Sequence, residues 1–139
     1  MPCGWRFGVP TVGALLIEMG DGQVSEHDET CEDAALTLAD LATTLLGEAR
    51  EHHSRRSANT ILSGNSMRAT VIALAAGAEL GEHEAPPAAT LQPIVGEVDL
   101  VADDDHWLVT AGQLIAIPPR RHSLRARSDA AVLLTVALH

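Results

Sequence analysis

From Ala58 onward the chain is a succession of short apolar segments, each closed by a turn signal, and nothing else in it constrains the fold as much. Ala58–Leu62 runs into Ser63-Gly64-Asn65-Ser66. Met67–Leu74 alternates with β-branched residues and ends at Gly77. Ala88–Val95 ends at Gly96, and Glu97–Ala102 alternates acidic with apolar residues before Asp103-Asp104-Asp105. His106–Thr110 ends at Gly112, Leu114–Ile117 ends at Pro118-Pro119, and His122–Ala126 and Ala131–Leu138 follow. Many short strands at even spacing predict an antiparallel sandwich or barrel. Pro93, inside one such segment, removes a ladder donor and predicts an edge or a bulge there.

The N-terminal part reads differently. Residues 1–29 hold no period and read as an irregular arm. Residues 30–57 read as an amphipathic helix and linker. Thr30-Cys31-Glu32-Asp33 resembles a capping box, and Ala34, Leu38, Leu41, Ala42 and Leu45 recur at helical spacing. The expected helix spans about Cys31 to about His52, with Gly47 a weak point. One such helix cannot bury its stripe alone, so it packs on the barrel of residues 58–139 or on a partner subunit.

Composition bounds the function. A chain of 139 residues makes one domain with a real core. Trp5, Trp107 and Phe7 are its only aromatic residues, so it offers no stacking platform for bases. All nine basic residues are Arg, and the net charge is −10. That balance repels phosphate backbones and anionic membranes, which excludes nucleic acid and a membrane as partners. No segment reaches the length of a membrane span, and Val9 to Ile17 lacks the flanks of a signal peptide, so a cytoplasmic protein is expected. Cys3 and Cys31 have no companion His pattern, and no nucleophile elbow, phosphate loop or dinucleotide fingerprint occurs.

Two stretches carry a family resemblance. Gly77-Ala78-Glu79-Leu80-Gly81-Glu82-His83-Glu84-Ala85, with Ala89 and Gly96, keeps every spacing of the cupin signature G-x5-H-x-H-x(3,4)-E-x6-G. Gly112 to His122, through Pro118, resembles the second cupin signature, G-x5-P-x-G-x2-H-x3-N. The chain from about Leu36 onward is similar to small bacterial single-domain cupins. The resemblance implies an all-β, antiparallel jelly-roll β-barrel with one N-terminal α-helix in front, commonly homodimeric, with a ligand cavity in its middle. It also implies a metal site, which is degenerate here. His83 matches the first His and His122 the last, but Ala85 and Ala89 stand at the second His and the Glu positions. Arg120 replaces the usual Gly, the loop before His122 is one residue shorter, and Ala126 replaces the Asn.

The matched signature positions, with strand alternation in a closed barrel, imply His83 and His122 facing each other across a lumen lined by Leu91, Ile115, Ile117 and Leu124, with Trp107 near its mouth or in the core. Two imidazoles there hold a divalent metal (zinc, nickel, iron or manganese) loosely, or bond to each other, to water or to backbone. Arg120-Arg121 suit a substrate carboxylate or a salt bridge. Three functions remain open. One is a small-molecule binding barrel whose ligand is unnamed. The second is a metal-dependent enzyme of dioxygenase or isomerase type using His83 and His122. The third is a dimeric regulatory or interaction module.

Overall fold

The structure is a computed structural model that describes residues 23–24 and 35–138. One helix, α1 (Leu38–Glu51), follows a two-residue strand, β1 (Gln23–Val24). The remaining strands are β2 (Arg56–Ser63), β3 (Met67–Leu74), β4 (Glu79–His83), β5 (Ala89–Val95), β6 (Glu97–Ala102), β7 (Asp105–Thr110), β8 (Ile115–Ala116), β9 (His122–Ala126) and β10 (Ala130–Ala137). They form a six-stranded sheet in the order β1-β2-β3-β10-β5-β8 and a four-stranded sheet in the order β4-β9-β6-β7. β1 pairs parallel with β2; the other described pairings are antiparallel. The two sheets face each other as a jelly roll. No ladder joins them among the described residues, so the expected closed cylinder is a sandwich with open seams.

Two apolar layers hold this together. Between the sheets lie Ile72, Leu74, Leu91, Val98, Leu100, Leu124 and Val132. On the outer face of the six-stranded sheet, Ala42, Leu45, Leu46 and Ala49 of α1 cover Val71, Ala73 and Ala131. That sheet is therefore buried on both faces, and Ala69 through Leu74 of β3 are buried without a break. The four-stranded sheet keeps one face in water, and β6 alternates between exposed or half-buried and buried positions.

Several boundaries differ from the sequence reading. Residues 35–37 are not helical and α1 begins at Leu38, with Thr37 as its N-cap. The expected capping box at Thr30 lies outside the described residues, as do Cys3, Trp5, Phe7 and Cys31. Gly47 does not stop the helix, because packing of Leu45, Leu46 and Ala49 outweighs its weak propensity. The arm is not wholly irregular: Gln23 and Val24 pair with Ser57 and Ala58, a contact two residues cannot signal by period. Pro93 meets its expectation twice. The β5–β10 register shifts beside it, and β8 pairs only with Thr90 and Leu91, leaving Pro93 without a partner strand on that side.

Candidate functional site

Strand β9 brings the second signature into the core. Arg120 N–H donates to the Pro118 carbonyl at 2.8 Å, closing the turn that delivers His122 to the head of the strand. His122 is 3% exposed. Its Nδ1 lies 3.0 Å from the Arg120 carbonyl oxygen. A carbonyl only accepts, so Nδ1 carries a proton and donates it to Arg120.

The backbone register makes His83 of β4 the direct partner of His122. The two positions are neighbours on adjacent strands of one sheet and do not sit on opposite walls of the lumen. The physical reason is the antiparallel β4–β9 ladder, whose register shifts between Leu80 and His83 and realigns on this pair.

Below His122 the two sheets enclose a cavity lined by Ile72, Leu80, Leu91, Leu100, Ile117, Leu124 and Leu134. The space open to the centre of a water molecule is about 20 Å³, room for one or two waters. Leu91, Ile117 and Leu124 of the expected lumen residues line it. Ile115 and Trp107 do not; they are half-buried and pack against the core cluster beside it. The sequence reading missed Ile72, Leu80, Leu100 and Leu134. They stand on β3, β4, β6 and β10, and only sheet order brings those four strands to the same cavity as β5 and β9.

The arginines before His122 are already engaged. Arg120 donates to Asp103 at 2.9 Å and to Asp105 at 2.8 Å, which ties the β8–β9 loop to the β6–β7 turn. The Asp105 and then the Asp103 hydrogen bond raise its pKa above the ordinary arginine value. Arg121 donates to Glu84 at 2.8 Å and to Glu82 at 3.4 Å, and these partners, Glu84 first, raise its pKa likewise. Of the two readings of this pair, the salt bridge is the one observed. A larger groove of about 500 Å³ opens at the other end of β9, beside Glu97, Asp99, Arg125 and Arg127. It is broad and open at the surface, and its Arg127 pairs with Asp99 at 2.8 Å. The small apolar cavity at His122 is the better-built site.

Comparison with solved structures settles the architecture. A conserved protein of unknown function from Streptococcus pyogenes superposes with a TM-score of 0.63 at 22% identity, over 84% of this chain and 96% of that one. A cupin superfamily protein from Desulfitobacterium hafniense gives 0.66 at 16% identity, over 83% of this chain and all of that one (100%). An RmlC-like cupin from Shewanella frigidimarina gives 0.54 at 19% identity, over 59% and 75% of the two chains. This chain has the cupin fold. No family model matches it, and no curated protein matches it in sequence.

The cupin fold raises the question of a metal, and the donors here fit one poorly. A resident metal ordinarily takes three or four protein ligands. Among the described residues no three His, Cys, Asp or Glu side chains cluster. Ala89 is buried and offers only a methyl group. Glu82 and Glu84, which flank His83, are exposed and paired with Arg121. His106 is exposed on β7, and the rings of His52 and His53 stack on each other at 4.4 Å beyond the helix end. None of these completes a ligand set.

Proposed function

We propose that this chain is a small-molecule binding cupin barrel whose ligand sits in the apolar lumen against His122. One observation supports the reading above the others: seven aliphatic side chains converge on a single buried imidazole. An apolar wall with one oriented polar point is the usual composition of a ligand pocket. The Arg120 carbonyl fixes the ring and gives the apolar wall one oriented polar group. The lumen is nearly full at rest. A ligand therefore enters by repacking side chains, and its apparent affinity falls by the fraction of molecules that are open.

A thermal-shift panel of small apolar compounds, each bearing one hydrogen-bonding group, tests this. Some should raise the melting temperature of the wild type, and His122→Phe, which preserves bulk but not the nitrogen, should lose that response with an unchanged circular dichroism spectrum. If no compound stabilises the wild type, or the variant responds equally, the reading fails. The metal-enzyme reading keeps one favourable observation, the pairing of positions 83 and 122 in the ladder. It lacks the donors that Ala85 and Ala89 withhold.

A further inference from the structure

Arg68 is a group on the inner face that lumen binding leaves unexplained. Its Nε is buried and has no hydrogen-bond partner among the described residues, and no ion pair joins it to any of them. A guanidinium is permanently charged and carries donors only. Burying such a donor unmet is costly, and a native structure that keeps one calls for a reason.

Its place in the sheet suggests that reason. Arg68 alternates with Ile72 and Leu74, which lie in the core between the sheets, so it stands on the inner face of β3. It is near the end of that strand, one inward step beyond Thr70. The Thr70 hydroxyl is buried and lies 3.3 Å from the Thr60 hydroxyl. Thr70 is level with Leu134 and Leu91, both in the cavity wall. In the next row outward Arg68 pairs with Val136, and Val136 pairs with Ala89. Arg68 and Ala89 thus flank one strand at the rim of the cavity, two strand spacings or about 10 Å apart. Ile117, a lining residue, donates its N–H to the Ala89 carbonyl at 2.9 Å, so this row adjoins the cavity. The rim holds a cation on one side and a bare methyl on the other.

We infer that Arg68 is the anchor for a ligand carboxylate, so that the lumen takes a small monocarboxylate with its apolar body inside and its anionic end at the rim. This rests on the lumen-binding reading and narrows it to a substrate class. The arginine fork matches a carboxylate bidentately. The net charge of −10 opposes anions at long range, but salt screens that repulsion beyond about 8 Å, leaving the local cation to decide.

The test is calorimetric titration of the full chain with butyrate and benzoate, against butyramide and benzamide as uncharged isosteres. The wild type should bind the acids about tenfold or more tighter than the amides. Arg68→Gln should abolish that preference and leave amide binding in place, and Arg68→Lys, lacking the fork, should keep only part of it. Equal binding of acid and amide by the wild type, or a preference that survives Arg68→Gln, overturns the inference and leaves the lumen reading standing. Failure of both classes to bind the wild type overturns both. A second measurement is independent of ligand. Ala89→Glu places a carboxylate across the rim and should raise the melting temperature of the wild type but not that of Arg68→Gln. An equal change in both backgrounds means that Arg68 does not face that gap, and the inference fails.

Discussion

Asp129 is the residue on which the two apolar layers are tied. One carboxylate oxygen accepts the Ala76 N–H at 2.8 Å, and the other accepts from Arg50 Nε of α1 at 2.7 Å. The Ala76 N–H first, and Arg50 second, hold this carboxyl below its ordinary range. A depressed folded-state value means the contribution is present above the unfolded value of about 3.9 and is lost as pH falls through the folded one. Asp129→Asn should therefore lower stability at pH 7, with the gap closing as pH falls through the depressed folded-state value, as urea titrations at neutral and acid pH would read. Gly96, next to this site, has φ +79, and a Cβ there would run into the Asp129 carbonyl oxygen and lie 2.8 Å from the Ala130 Cα. Gly112 has φ +89 but open space around it. Gly96→Ala should cost about 2–4 kcal/mol, clash added to left-handed strain, and Gly112→Ala only about 1–2 kcal/mol. Equal costs in denaturant melts would show that the close approach at Gly96 is absent.

The helix belongs to the next scale. Its sequence pattern was legible from Leu38 to Leu45, but a pattern cannot say what covers it. The fold lays it on the outer face of the six-stranded sheet, with Ser57 donating to Glu48 at 2.8 Å beside the apolar contact. Leu45 is fully buried there, and Leu45→Ala should destabilise by about 2–5 kcal/mol. A methyl group added at Gly47 would meet nothing within 4 Å. Gly47→Ala should therefore gain about 0.5–1 kcal/mol, because only propensity is at stake. Chemical denaturation of both variants checks the pair. Opposite signs mark a helix held by one face, and a destabilising Gly47→Ala would mean that its outer face is covered too.

At the scale of the whole molecule, apolar groups are left at the surface. Leu108 is 47% exposed on β7, an edge strand of the four-stranded sheet, and Leu114 just beyond β7 is 62% exposed. Edge strands with apolar side chains invite pairing with a second copy. A homodimer is expected, and Leu108→Glu should shift its mass toward the monomer in light scattering. A monomeric wild type at micromolar concentration ends that expectation. Metal dependence is a property at this scale as well. A tightly held metal at a hundred times its Kd would add about 2.7 kcal/mol. With Ala85 and Ala89 at two of the four donor positions, a chelator should move the melting temperature by less than about 2 °C. A larger loss, restored by zinc, nickel, iron or manganese and abolished in His122→Ala, would bring the metal reading forward.

The sequence alone determined what local chemistry dictates. Gly77, Gly96 and Gly112 marked positive-φ turns and Pro93 an interrupted ladder, while alternation in β6 and β9 gave their inward faces. Together with the two signatures, that was enough for the jelly roll. Whatever depends on which strands become neighbours lay beyond it. The Arg120 and Arg121 ion pairs join residues 15 to 39 positions apart. His83 and His122 became ladder partners through a register shift that no period records. Nothing in the sequence by itself singles out Arg68. Its meaning came only when β10 set Val136 between it and Ala89, because a side chain's period is written in its own strand and its neighbours are chosen by the packing of the others.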